Sequence, residues 1–494
     1  MVEKKMYKSR KGQQSILDDA RAFGGVVLDT NNEWLKLGSI IPWDEFEEEY
    51  AATFTGKATG NVAKSARMAL GTLVIKERYQ FSDEDIVKEL QMNPYLQHFI
   101  GMPEFSHKAP FDASTITLFR KRVTSGMISR LNDYIIGLER ERKEEPPEEP
   151  PSEGVGSEKK EHPSEEGNKG TLILDATCAP QAIRYPTDIS LLNEARELLE
   201  KMVTAGYKAG GWEQKPRTYC RTARKYYLRY ARNRKPSIKQ LRKAIKQQLG
   251  YVSRDIGYIR KLLENTPQAL PERMMEQYQT ISQLFEQQHE MYHSKKHRVE
   301  NRIVSIHQPW VRPIVRGKTN AAVEFGAKIE VALYEGYARV EDLRWDAFNE
   351  SGTLQASAER FKEASGHYPE RILADKLFRT RDNLWFCKKH GILLNGPKLG
   401  RPPKDLALYR AQCRQERTES SERNAIECTF GVAKRRYALG YITMKLQHTS
   451  EVAIHLVFLS LNLQKRLRSL LRSFFRLRFW HHSINFHFSL VSAS

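Results

Sequence analysis

Residues 144–169 constrain the fold most, because they cannot enter a hydrophobic core. They are drawn almost wholly from Glu, Pro, Ser, Gly and Lys, and residues 144–166 carry nine acidic side chains against two basic ones. Such a stretch is expected to be an extended, solvated linker. Whatever folds in this 494-residue chain must therefore fold on either side of it. The expected organisation is an N-terminal segment (1–42), a helical unit (43–143), the linker (144–169), an α/β domain (170–465) with a helical insertion at about 188–300, and a basic, aromatic-rich tail (466–494).

The pattern of apolar residues supports this division. In 63–76 they recur at helical spacing. Ser82 followed by Asp83, Glu84 and Asp85 has the form of a helix start, as does the run from Asp112 to Thr115. A small domain of several short helices is expected there, serving either DNA-end recognition or dimerisation and packing. Beyond the linker, 171–177 reads as a strand. Helices are expected over 191–202, 238–249, 256–263 and 272–292. Short β-like runs follow at 302–306, 327–333, 371–375 and 391–394, and 421–477 is again helical. Strand, helical insertion, further strands and a closing helix describe an α/β layout.

Three acids stand out within that layout. Asp175 and Asp375 each close a short apolar run, and Glu427 lies in the helical stretch that contains Arg423 and Lys434. Two aspartates at strand ends and a glutamate on a helix can converge into a carboxylate pocket. Mg2+ is a hard cation that takes carboxylate oxygen and keeps waters. Two Mg2+ ions about 3.5–4 Å apart promote in-line attack on a phosphodiester, one activating the nucleophile and the other stabilising the leaving oxygen. Mn2+ is an expected substitute. Arg423 and Glu427 are i and i+4, and Lys434 is two turns on, so all three share one helix face.

The charge balance names the substrate class. Lys and Arg number 80 against 60 Asp and Glu, a net charge of +20, and setting aside residues 144–166 leaves +27 on the remainder. A clustered excess of this size points to a polyanionic partner. Residues 201–250 hold 15 Lys and Arg against one acid, Glu213, with Tyr219, Tyr226, Tyr227 and Tyr230 interleaved. Arg221, Arg224, Lys225, Arg229, Arg232, Arg234 and Lys235 are candidate phosphate binders here, and the tyrosines can stack on exposed bases. Arg312, Arg316 and Lys318 are further candidates. Residues 395–403 form a loop with an incomplete AT-hook pattern. The stretch 465–478 carries six cations and no acid, with Leu467, Leu470 and Leu471 as an apolar stripe.

The spacing Arg423-(3)-Glu427-(6)-Lys434 resembles the third catalytic motif, Y-(2)-R-(3)-E-(6)-K, of bacterial insertion-sequence transposases of the DDE type related to IS-four and IS-five. The segments around Asp175-Ala176-Thr177, Ile183 to Asp188, Leu191 to Arg196, Arg302 to Ile306, Val311 to Lys318 and Phe325 to Lys328 are similar to the IS-eleven-eighty-two-like branch of the IS-five superfamily. The likeness covers most of 43–465. It implies an RNase H-like mixed-sheet core with a helical insertion, preceded by an all-helical N-terminal domain. Asp175, Asp375 and Glu427 carry over as the catalytic, metal-ligating acids, and Arg423 and Lys434 as the basic residues of the motif. The resemblance further implies binding of terminal inverted repeats, cleavage at the element ends, transfer of the 3′-hydroxyls to target DNA, and a homodimer or larger assembly when two ends are paired. Ser420 stands where the motif has tyrosine. Asp375 is preferred to Asp382 because it ends the apolar strand. A DNA-binding protein without catalysis and a structure-selective nuclease are the alternatives.

Other features carry less. His289-Glu290-Met291-Tyr292-His293 fits H-E-x-x-H, but Val299 occupies the third-ligand position of the metzincin spacing, so no zinc site is expected. Five dispersed cysteines fit free thiols in a reducing compartment. The opening Met-Val-Glu-Lys-Lys has no apolar h-region, so secretion is not expected, and the eleven-residue apolar stretch 453–463 is too short to cross a bilayer. A bacterial cytoplasmic, nucleoid-associated location is the expectation.

Overall fold

The computed structural model describes residue 7 and residues 23–54, 62–144, 167–318, 321–396 and 405–491. The side chains of 138–144, 316–318, 321–322 and 473–491 are not described. The acidic linker, apart from its two ends, and most of the AT-hook-like loop lie outside the described residues.

The N-terminal part is helical: α1 (Glu33–Ile40), α2 (Trp43–Ala52), α3 (Ala66–Tyr79), α4 (Asp83–Met92), α5 (Pro94–Phe99), α6 (Thr115–Arg122) and α7 (Ser125–Glu144). Their starts follow local chemistry. Ser65 accepts a hydrogen bond from Met68 N, and Ser82 accepts one from Asp85 N at 3.0 Å, each satisfying an N–H that the helix leaves open.

The sheet comprises β1 (Thr171–Pro180), β2 (Arg312–Lys318), β3 (Ala321–Tyr334), β4 (Tyr337–Arg344), β5 (Arg371–Leu373) and β6 (Leu393–Leu394). Its order is β2-β3-β1-β5-β6, with β4 also paired to β3. β3 meets β1 antiparallel on one edge, while β2 and then β4 take successive stretches of its other edge. β5 and β6 continue parallel to β1. Gly326 is paired on both sides, and a Cβ there would lie 2.0 Å from Ala179 O, so the close approach requires glycine.

Both faces of the sheet are covered. Ile329, Val331 and Leu333 pack on α14 (Leu406–Arg436) and α15 (Gln447–Val491) through Ile426, Phe430, Ile454, Val457 and Phe458. The opposite face, with Leu172, Leu174, Ala332 and Ile372, packs on α12 (Leu354–Ser365) and α13 (Arg381–Lys389). Between β1 and β2 lie α8 (Asp188–Gly206), α9 (Cys220–Ala231), α10 (Ile238–Asn265) and α11 (Glu272–Ser294), with an apolar core of their own.

α15 joins two layers. Val452, Leu456, Leu459, Leu463 and Leu467 bury into the N-terminal helical core, while Ile454, Val457 and Phe458 bury against the sheet. Asn462, a polar break in that apolar run, accepts from Ala338 N at 2.9 Å and donates to Ala338 O and Asn132 Oδ1, both at 2.7 Å. It is 2% exposed, so its polarity is satisfied within the interface.

Several local expectations are corrected. The apolar run 302–306 is coil, with Ile303 and Ile306 filling the insertion core and Val304 the sheet core. Short buried runs do not by themselves distinguish strand from coil. The break expected between 249 and 256 is absent, and the helix expected to run through 421–477 is interrupted. α10 runs unbroken because Leu249, Val252, Ile256 and Ile259 keep one buried stripe. The last helical stretch divides at 437–446 into α14 and α15.

Candidate active site

Asp175 sits in the middle of β1, opposite Val331 of β3. The parallel pairing of β1 and β5 aligns Ile173 with Leu373. Two residues further along each strand direction lie Asp175 and Asp375, on neighbouring lines of the sheet. β5 stops at Leu373 and Asp375 caps the short 3-10 turn Lys376–Phe378, its carboxylate accepting from Lys376 N at 2.6 Å. Phe378, 0% exposed, anchors that turn in the core. Asp382 lies instead in the exposed first turn of α13.

α14 lies over this strand edge. Its buried stripe is Ile426, Phe430 and Ala433, which turns Arg423 and Glu427 toward the side of the packed face. Arg371 Nη1 is 2.8 Å from Glu422 Oε2, and Arg423 Nη1 is 3.2 Å from Asp175 Oδ2. Successive residues of one helix are thus tied to adjacent strands. Arg423 Nη2 also stands 3.6 Å from Glu427 Oε1. Asp175 and Arg423 are each 20% exposed at the side chain, while Glu427 is 57% exposed.

Burial holds the Asp175 carboxyl above the usual aspartate range, the nearby Arg423 works in the opposite sense, and the charges of Glu350 and Asp375 add to the rise. Hard carboxylate oxygens suit Mg2+ by donor chemistry. Among the described residues, however, no group of three or more His, Cys, Asp and Glu stands ready to hold a metal ion. The Arg423 guanidinium is shared by Asp175 and Glu427.

A cleft of about 350 Å³ opens beside Asp375. Lys376, Arg379, Arg417 and Arg423 supply its cations, and Ser420 lines it. Arg379 and Arg417 were not singled out from the sequence. Arg417 lies four residues after Cys413 and three before Ser420 on α14, a helical spacing that sets it beside the same cleft. Arg379 donates to the carbonyls of Leu394 and Asn395, a contact visible only in the tertiary structure. Glu350, an ion-pair partner of Lys328 at 2.8 Å, was also missed.

The remaining expected residues are distributed more widely. Lys434 is on the last turn of α14, half-buried. Arg312 is held by Asp346 at 3.1 Å and by the carbonyls of Pro309 and Val311. It pairs with Gly326, five residues from Val331, which sets it roughly 17 Å along the strand from Asp175. Arg316 and Lys318 belong to β2, and their side chains lie outside those described. Arg221, Arg224, Lys225 and Arg229 are exposed on α9, and Arg232, Arg234 and Lys235 are exposed just after it. His289 and His293 face each other on α11 with ring centroids 4.3 Å apart.

Two parts of the chain match known families. Residues 372–464 match the family described as Transposase DDE domain, and residues 26–122 match the one described as Transposase domain (DUF772). These two matches support an insertion-sequence DDE transposase. The first match takes in Asp375, Arg423, Glu427 and Lys434, and the second takes in most of the N-terminal helices; Asp175 lies outside both. A Rhizobium meliloti protein described as uncharacterized protein ORF8 in nfe locus is 27% identical over 173 residues, covering 35% of this chain and 73% of that protein. No solved structure matches the chain. DDE transposases act on DNA and generally use divalent metal ions. Among the described residues no helix is long and apolar enough to cross a membrane.

Proposed function

We propose that this transposase binds the terminal inverted repeats of its own element, cuts at the element ends and transfers the 3′-hydroxyls to target DNA. In this reading the sheet is an RNase H-like core. Three strands paired antiparallel, β4-β3-β1, followed by β5 and β6 parallel to β1, support it. The observation that carries the reading is the placing of Asp175 and Asp375 on adjacent strands, where β5 ends beside the middle of β1, beneath the helix that bears Arg423 and Glu427.

Asp175, Asp375 and Glu427 would hold two Mg2+ ions, or Mn2+ in their place. Bound there, the metal supplies Lewis acidity at the scissile phosphate and an activated water or hydroxyl. Arg423, freed from Asp175, and Lys434 would hold the phosphates that flank the cut. Arg379 and Arg417 extend that cationic wall along the cleft. The exposed cations of 221–235 would bind the duplex by neutralising phosphates and releasing counterions. The N-terminal helices contribute end recognition, and pairing of two ends requires at least a homodimer.

The test is cleavage of linear DNA carrying the candidate repeats, with Mg2+ or Mn2+, by the wild-type chain and by Asp175→Ala. Cutting at the repeat boundary that falls at least about a thousand-fold in the variant is the expected result. The Arg423 bridge favours one second reading, a DNA-binding derivative whose acids are permanently neutralised. Tight binding of the ends with no cutting in either metal would establish that reading instead.

A further inference from the structure

β1 pairs with β5 only as far as Leu373, opposite Ile173. Ala374 and Asp375 follow with no rung to β1, so what fixes the chain there lies on the other side of β5. β6 runs parallel to β5 and ends at Leu394, opposite Ile372. Asn395 N donates to Ile372 O at 3.0 Å, which extends that ladder by one rung.

The next N–H of β5 to face β6 is that of Ala374, and in a regular parallel ladder its acceptor is the main-chain carbonyl of Asn395. Arg379 takes that carbonyl instead, its Nη1 donating to Asn395 O and to Leu394 O. The Asn395 side chain fills the gap, with Ala374 N donating to Asn395 Oδ1 at 2.8 Å. Ala374 is 4% exposed, so its N–H has no recourse to water and needs that acceptor.

Asn395 is itself held in place. Gly396 follows it at φ 103°, in the left-handed region, and turns the chain away from β6. A Cβ on Gly396 would lie 3.1 Å from Arg379 Cδ, so this turn and the Arg379 side chain are packed together. Asn395, Gly396 and Arg379 line the same cleft as Asp375. On its other side Asp375 is secured by the 3-10 turn, where the buried Phe378 donates its N–H to Asp375 O at 3.0 Å. The backbone that carries the Asp375 carboxylate is thus pinned at two points, by Asn395 through Ala374 and by the turn through Phe378.

We propose that Asn395 is a positioning residue for the Asp375 carboxylate, acting through the N–H of Ala374. Without Oδ1 that buried N–H has only the Asn395 carbonyl to turn to, and Arg379 holds it. The end of β5 must then twist, and Asp375 moves with it. Groups that orient a metal-holding side chain from behind typically contribute about ten- to a hundredfold to metal affinity or rate. The consequence for metal and DNA rests on the reading of Asp375 as a metal-holding acid; the Asn395–Ala374 hydrogen bond does not.

The test uses the full-length protein with Asn395→Leu, which keeps the shape and removes the acceptor, and Asn395→Asp, which keeps the acceptor. Asp375→Ala is the reference. Mn2+ affinity is measured by isothermal titration without DNA, cleavage in single turnover on repeat-bearing DNA, and DNA affinity by fluorescence anisotropy. Asn395→Leu is expected to weaken Mn2+ binding about tenfold and slow cleavage about ten- to a hundredfold, with DNA affinity within about twofold of wild type. Asn395→Asp is expected to bind Mn2+ at least as tightly as wild type and to cut within about threefold of its rate. A merely structural role would instead lower Tm and DNA affinity together with cleavage. Should Asn395→Leu fail to fold, judged by circular dichroism, Asn395→Ala takes its place as the variant without an acceptor.

Unchanged Mn2+ affinity in the variant without an acceptor, while Asp375→Ala loses it, would overturn the role of Asn395 and leave the acidic site standing. Failure of Asn395→Asp to the same extent as Asn395→Leu would also overturn it. Unchanged Mn2+ affinity in Asp375→Ala would remove the acid assignment itself, and this role of Asn395 with it.

Discussion

Arg423 Nη1 lies 3.2 Å from Asp175 Oδ2, joining the helix of the third acid to the strand of the first. The same guanidinium stands 3.6 Å from Glu427. It therefore supplies, from the protein itself, positive charge that the partly buried Asp175 lacks. In the proposed mechanism Mg2+ and Arg423 compete for one carboxylate, and Arg423 moves to a DNA phosphate once the metal is held.

That competition predicts a split outcome for Arg423→Ala. Removing the guanidinium is expected to cost about 1 kcal/mol of stability, since the pair is neither fully buried nor fully exposed. It is also expected to tighten Mn2+ binding about three- to tenfold, because Asp175 loses its competitor. Cleavage is expected to fall. Isothermal titration with Mn2+, beside a cleavage assay, measures both; unchanged or weaker Mn2+ affinity would sink the competition model.

Asn462 ties three parts of the molecule through Asn132 and Ala338. Asn462→Ala leaves the Ala338 N–H and the Asn132 carbonyl oxygen without this buried partner. The expected cost is about 2–3 kcal/mol, read from urea unfolding. A loss under about 0.5 kcal/mol would mean that water replaces the network.

Asp255 of α10 is 0% exposed, and neither carboxylate oxygen has a hydrogen-bond partner. Burial pushes its carboxyl up to about 7, the nearby Glu200 adding to the rise. Between about pH 4 and 7 the folded state thus holds a proton that the unfolded chain has released. Its contribution to stability is greatest at the acid end of that window and falls as pH rises through it. Asp255→Asn is expected to flatten this dependence and to be the more stable form at pH 8, by on the order of 1–3 kcal/mol. Unfolding curves at pH 5 and pH 8 check it, and equal pH slopes for the two proteins would refute it.

Arg221, Arg224 and Lys225 are exposed on α9. Changing all three to glutamine is expected to weaken DNA binding across sequences and to reduce the slope of log K against log salt by about 2–3. Fluorescence anisotropy at several salt concentrations measures the slope. An unaltered slope would remove this helix from the DNA interface.

The sequence by itself determined the elements whose signals are local. Ser82 caps its helix through a bond that needs only its own neighbours. The apolar runs before Asp175 and Asp375 form strands because alternating side chains enter cores on both faces. Arg423 and Glu427 share a helix side by their spacing alone, and residues 221–235 present their cations to solvent because few of their side chains are apolar.

Tertiary structure decided what depends on distant partners. β2 and β4 have weak patterns of their own and are strands because β3 offers them an edge. The run 302–306 is coil because two separate cores claim its side chains. α15 is a shared spine because its two apolar stripes meet two different layers. The neighbourhood of Asp175 and Asp375 follows from strand register across 200 residues of chain, and Arg423 pairs with Asp175 only once α14 is packed there. Backbone propensity and capping act over a few residues and can be read from them. Register, burial and charge compensation arise only when segments far apart in sequence share the same few ångströms.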